Sequence, residues 1–265
     1  MRTSFGGTAI VLAAALALGA VQARPAQADC KDLPSHSELQ ETLNDVVDGG
    51  DNAGLGNEMW GTIVDRDGIV CAVAFSGDFL GAQWPGSRVI SAQKANTANA
   101  FSLPPDANIG GFNSPLSSGN LYGTVLEQGS LYGLQFSNPV DTGVAYKGPP
   151  RRFGQSNDPM VREAIGGINV FGGGLALYDA DGALLGGLGV SGDTSCSDHI
   201  IAWKVRFSFN LDNVPGGVSA TGDDNLIIAT PVTPNTFEHP SCLGDPNDTI
   251  ADLPTDFPVG PDPAS

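Results

Sequence analysis

The stretch YDADGALLGGLGVSGD (residues 178–193) repeats a phrase met more than a hundred residues earlier, VDRDGIVCAVAFSGD (64–78). Each opens near Asp-x-Asp-Gly, runs through an apolar segment and stops at Ser-Gly-Asp. The runs before the turns, MWGTIV and GGGLALY, are rich in strand formers, and Asp and Gly supply the backbone angles of a tight turn. Each phrase therefore reads as a hairpin. A helix is expected after each. SRVISAQKANTANAF has alanine-rich helix propensity, and Asp193, Thr194 and Ser195 offer caps to a helix running from Cys196 to about Phe209. Two hairpins with helices and no strand–helix–strand alternation predict the α+β class, an antiparallel sheet covered by helices. Gly186, Gly187 and Gly189 leave the last strand thin on one face, so a helix or a flat ligand can approach it closely.

Outward from this unit, Ser35 and Glu38 have capping-box spacing, and Leu39, Leu43, Val46 and Val47 follow at helical intervals, so a first helix is expected there. Residues 106–160 are rich in Gly, Asn, Ser and Pro and contain the echo GNLYG (119–123) and GSLYG (129–133). They read as an insertion forming a short hairpin flap, too poor in apolar residues for a core of its own. LIIAT (226–230) is expected to add a strand. One domain spans 29–242, and the acidic, proline-rich segment 243–265 is expected to be disordered.

The N-terminal run TAIVLAAALALGAV stands behind Arg2 and ends in Ala26-Gln27-Ala28, the pattern of a cleaved secretory leader over residues 1–28. It predicts a periplasmic or secreted mature chain beginning near Asp29, with no membrane insertion after cleavage. The net charge of −17 disfavours nucleic acid as a partner, since its phosphates would be repelled. Four cysteines in an exported chain favour disulfides, and the preferred pairing is Cys30 with Cys71 and Cys196 with Cys242. A zinc site ranks below it: Cys196-Ser-Asp-His199 and His239-Pro-Ser-Cys242 are mirror-image pairs offering two sulfurs and two imidazoles.

Taken in order, MWGTIVDRDGIVCAVAFSGD, WPGSRVISAQKANTANAFSL and GGGLALYDADGALLGGLGVSGDTSCSDHIIAWKVR resemble the GlcG/HbpS-like haem-binding family over most of residues 33–209. The resemblance implies a profilin-like fold with about five antiparallel strands, a haem or related tetrapyrrole ligand, and homo-oligomers. Exported members include an accessory to a sensor kinase, which implies a sensor or membrane-protein partner. Reversible capture or sensing of haem is the favoured function. A haem-degrading or small-metabolite enzyme and a cofactor-free protein-interaction module are the alternatives.

If the hairpins are neighbours, their Ser-Gly-Asp ends and the helix starts behind them line one cleft, where free backbone amides attract anions such as propionates. Asp78, Ser191 and Asp193 are the candidates from these ends. Among three histidines, His199 is the candidate axial iron ligand, because the start of a helix disfavours the imidazolium and keeps a nitrogen lone pair available. Tyr122 and Tyr132 could ligate ferric iron as phenolates. Arg88, Lys94, Arg151 and Arg152 could pair with propionates. Ser191 lies in a sequence that lacks the glycine pattern of a nucleophile elbow, so serine hydrolysis is not supported there.

Overall fold

The computed structural model describes residues 29–107 and 115–260, so the expected leader lies outside the described residues. The helices are α1 (His36–Asp48), α2 (Ser87–Ala100), α3 (Leu134–Ser137), α4 (Thr142–Ala145), α5 (Ser195–Ser208) and α6 (Asn247–Asp256). The strands are β1 (Trp60–Asp65), β2 (Val70–Phe75), β3 (Gly174–Tyr178), β4 (Leu184–Ser191), β5 (Ile227–Ala229) and β6 (Glu238–Pro240). The two expected hairpins are β1–β2 and β3–β4, and they join through β1 and β4 into one antiparallel sheet of order β2-β1-β4-β3. Trp60 of β1 stands opposite Phe75 on one side and Ser191 on the other. Both Ser-Gly-Asp phrases thus leave the sheet at the same end.

Helices cover both faces. Leu39 and Leu43 of α1 and Ile200, Ile201 and Val205 of α5 pack with Ile63, Leu188 and Val190 on one face. On the other face, Ala92 and Ala95 of α2 meet Trp60, Val64 and Val73. The glycines of β4 allow this second contact. A Cβ on Gly189 would lie 1.9 Å from the Ser91 carbonyl oxygen, and one on Gly187 would lie 2.4 Å from that of Ala95. The α1 start has the expected capping box, with Ser35 and Glu38 exchanging hydrogen bonds with each other's amides.

Three expectations are corrected. The main sheet has four strands rather than about five: β5 pairs in parallel with β6 in a separate two-stranded sheet. Irregular chain pairs with one end of each edge strand of the main sheet, residues 162–164 beside Val70 of β2 and Leu211–Asp212 beside Tyr178 of β3. Within the described part of residues 106–160 there is no hairpin flap. Ser117–Val125 form 3-10 turns and α3 and α4 are single-turn helices, because glycines such as Gly133 (φ +88°) and local side-chain caps interrupt any strand. Leu121 is nevertheless buried there with Ile168 and Val170. The segment after Leu243 is ordered through residue 260. Ile250 and Leu253 of α6 are buried in the main core, and Trp203 Nε1 donates to the Phe257 carbonyl at 2.9 Å. Their i, i+3, i+7 spacing gives the helix an apolar stripe despite its acidic and proline-rich composition.

Two stability outcomes follow. Gly189→Ala forces a side chain against backbone and should lower the unfolding free energy by at least about 2 kcal/mol in urea melts. Ile250→Ala should cost about 2–4 kcal/mol in the same assay, whereas a dispensable tail would show no change.

Candidate functional site

The two helices that follow the Ser-Gly-Asp phrases start beside one another at the end of β4. Ser87 is the first residue of α2 and Ser195 the first of α5, and both line an open cleft of about 300 Å³. Trp84, Ile90 and Phe171 form its apolar walls, and Ser191, Asp193, Lys94 and Asp198 complete it. Trp84 and Phe171 stand at the rim, 52% and 42% exposed. The loop carrying Trp84 is held from below, its carbonyl accepting from Trp60 Nε1 at 3.1 Å and Gln83 Nε2 donating to the Phe79 and Leu80 carbonyls.

The floor is a buried ion pair. Lys94 Nζ donates to Asp198 Oδ2 at 2.5 Å and to the Val190 carbonyl at 3.1 Å. Asp198 Oδ1 also accepts the amides of Gly192 and Asp193, at 3.0 and 2.9 Å. Burial pushes the Asp198 carboxyl up to about 6 against the pull of Lys94, and burial lowers the Lys94 ammonium. Asp193 points the other way. Its carboxylate accepts from the amides of Leu55 and Asn57 at 2.9 and 3.0 Å and pins the loop before β1.

The other expected site residues divide. Ser191, Asp193 and Lys94 are in the cleft, while Asp78 is exposed at the neighbouring strand end and does not line it. Arg88 is sequestered: its guanidinium is ion-paired with Asp158, stacks 3.8 Å over the Phe153 ring and donates to the Ala145 carbonyl. The insertion, not a ligand, satisfies it. Arg152 donates to the Asn157 carbonyl, and Arg151 is exposed on the insertion away from the cleft lining. Tyr132 is 67% exposed, and Tyr122 packs against Phe171 and His239. His199 is wholly buried and does not reach the cleft; Asp198, one residue earlier on α5, does. The helical turn of about 100° per residue separates them. Both expected disulfides form, Cys30–Cys71 and Cys196–Cys242.

The sequence reading missed Trp84, Ser87, Ile90, Phe171, Ser195 and Asp198 as parts of a site. Ser87 and Ser195 each begin the helix that follows a copy of the repeated phrase, though at different distances from its end, and that was the available signal. The two aromatic rims lie in loops, where nothing periodic marks them.

His239 lies behind Ser195. Its Nε2 is 3.0 Å from Ser195 Oγ and its Nδ1 2.8 Å from the Pro240 carbonyl, and since a carbonyl only accepts, Nδ1 carries the proton. Burial lowers its pKa from 6.5 to about 4 and holds that of His199 well down too.

This architecture is of the α+β class, with a cleft at the end of a duplicated hairpin–helix unit. The chain belongs to the HbpS-like family: the family model described as "Haem degrading protein HbpS-like" matches residues 50–205, more than half its length. No curated protein matches the chain. Similar solved structures include a PduOC–haem complex (23% identity, TM-score 0.44, covering 68% of this chain and 96% of that one). They also include the Klebsiella pneumoniae protein ORFY (18%, 0.43, 71% and 94%) and the double mutant of Streptomyces reticuli HbpS (16%, 0.42, 74% and 96%). Among the described residues no helix is long and apolar enough to cross a membrane.

Two measurements probe this geometry. Asp198→Ala strands a buried ammonium and should cost about 3–5 kcal/mol in denaturant melts, most of it recovered by the double variant Lys94→Met/Asp198→Asn, which removes both charges and keeps an acceptor for the Gly192 and Asp193 amides. For His239 the folded pKa is depressed, so between pH 6.5 and about 4 the unfolded chain binds a proton that the folded chain refuses. Stability is therefore lost as pH falls through that window, by up to about 1.4 kcal/mol per pH unit for this group. The unfolding free energy of the wild type minus that of His239→Gln should fall from pH 6.5 to 4 and stay level above pH 7. Asp198, whose raised pKa acts in the opposite sense, is common to both proteins and drops out of the difference.

Proposed function

We propose that this is an exported haem-binding protein that captures the tetrapyrrole reversibly in the cleft between Trp84 and Phe171. The observation that carries the reading is the pairing of exposed aromatic walls with the serines Ser87, Ser191 and Ser195 at two helix starts, above the Lys94–Asp198 ion pair, in a chain of the HbpS-like family. A flat macrocycle gains from aromatic faces through burial and offset stacking. Its carboxylates would meet Ser87 and Ser195, each at the positive end of a helix, together with Ser191. Lys94 serves this site indirectly. Its charge is consumed by Asp198, which keeps the floor from repelling an anionic ligand more than the net acidity of the chain already does.

Capture is favoured over degradation because the side chains facing the cleft stack and hydrogen-bond, while the buried His199 stands outside it. Titrating the purified protein with haemin should give a saturable Soret change. Phe171→Ala and Trp84→Ala should each weaken binding about tenfold, the loss expected when one aromatic face worth about 1–2 kcal/mol is removed. His199→Ala, judged folded by circular dichroism, should leave the endpoint spectrum unchanged. Time-dependent bleaching with ascorbate would replace capture by turnover, and a flat Soret titration would remove the haem reading altogether.

A further inference from the structure

Cys196 and the pair His239-x-x-Cys242 converge on one buried corner behind the cleft, with His199 one turn of α5 away from Cys196. The ligand atoms of Cys196, His239 and Cys242 all lie within 4.8 Å of one another. Cys196, His199 and His239 are fully buried. We propose that the Cys196–Cys242 disulfide and a thiophilic metal site are two redox states of this corner: on reduction, the two thiolates with His239 and His199 bind a divalent cation of zinc type.

Three features suit the corner to a metal. The Nδ1–H of His239 donates to the Pro240 carbonyl at 2.8 Å, the outer hydrogen bond by which metal-ligating histidines are oriented. That bond leaves the lone pair on Nε2, 3.0 Å from Ser195 Oγ, itself 3.6 Å from Cys242 Sγ. In the oxidised state that lone pair accepts from the Ser195 hydroxyl, and with the sulfurs within 4.8 Å it is the ring atom a metal in this corner would take. Second, the sulfurs sit where thiolate is favoured. Cys196 is in the first turn of α5, and its amide donates to Cys242 Sγ at 3.2 Å. Third, His199 lies three residues along α5 from Cys196, on the same helix face. Neither of its ring nitrogens reaches hydrogen-bonding geometry among the described residues, although Asn225 is beside it. An interior imidazole with no hydrogen-bond partner is costly, and two sulfurs with two imidazoles make the tetrahedral donor set that zinc prefers.

The chemistry balances with a dithiol as reductant. The S–S bond breaks, Cys196 and Cys242 take up two electrons and two protons, and the dithiol closes to its own disulfide. Metal binding then releases both thiol protons. The other disulfide is an internal control: Cys30 and Cys71 lie near Asp65, but that cluster holds no imidazole, and Asp65 Oδ1 already accepts the amides of Asp67 and Ile69.

The test uses cobalt(II) as a spectroscopic probe. The protein is reduced with dithiothreitol, freed of it by anaerobic gel filtration and titrated with cobalt(II). The expected result is sulfur-to-cobalt charge transfer in the near ultraviolet with the visible bands of tetrahedral cobalt, saturating at one metal per chain and bleached by zinc. The oxidised protein should show neither band. Cys30→Ser/Cys71→Ser should retain the spectrum, Cys196→Ser/Cys242→Ser should lose it, and His239→Ala should weaken binding at least tenfold. His199→Ala should change the visible band shape; an unchanged spectrum would overturn its part in the site. A reduced, folded wild type that binds no cobalt would overturn the whole proposal. If reduction alone unfolds the chain, zinc is expected to restore its circular dichroism, and a chain that stays unfolded with zinc present overturns the proposal equally.

Discussion

The ion pair between Lys94 and Asp198 ties the molecule together. Lys94 comes from the helix on one face of the sheet and Asp198 from the helix on the other, and they meet around the end of β4. The same carboxylate takes the amides of Gly192 and Asp193, so the turn leaving the strand, the start of α5 and the side of α2 share one anchor. Two buried charges are expensive to desolvate, and such a pair is favourable only when the remaining lone pairs and protons are also used. Here they are: Lys94 has a second acceptor in the Val190 carbonyl and Asp198 has two backbone donors.

The cleft depends on that anchor. With α2 and α5 held at one strand end, their first residues, Ser87 and Ser195, come to lie on a common surface, and Trp84 and Phe171 stand over it on loops fixed from within. The close approach of α2 rests in turn on the missing side chains of Gly187 and Gly189, whose place is taken by helix backbone. Two further buried arginine–aspartate pairs act similarly elsewhere. Arg88–Asp158 fastens the long insertion to α2, and Arg206–Asp224 fastens the chain beyond α5. Basic residues that look available to an anionic ligand are thus spent on architecture. What the cleft presents beside its ion pair is serine hydroxyls and aromatic faces.

Much of the fold was legible. The repeated turn-and-strand phrase located both hairpins, the capping box located α1, and alanine content and caps located α2 and α5, because each of these rests on short-range backbone preferences. The thin face of β4 was also readable from Gly186, Gly187 and Gly189. The tail was misread because its acids and prolines dominate composition, while Ile250 and Leu253 stabilise α6 only through a core formed by distant residues. The insertion was misread as a hairpin for a related reason: its echoing GNLYG and GSLYG segments resemble turns, and only packing around Leu121 selects helical turns.

By itself, then, the sequence determined the α+β class and the positions of the two repeated units, which follow from local propensity and spacing, and it favoured disulfides for the four cysteines without fixing their connectivity, which the fold supplied. Tertiary structure alone decided which charges are free. Arg88 and Lys94 became internal anchors, His199 turned into the core while Asp198 turned to the cleft, and Ser195 acquired His239 as a neighbour from 44 residues away. The physical reason is that a charged or polar side chain is committed by whatever partner burial brings within about 3 Å, and burial is a property of the packed chain rather than of its neighbours in sequence.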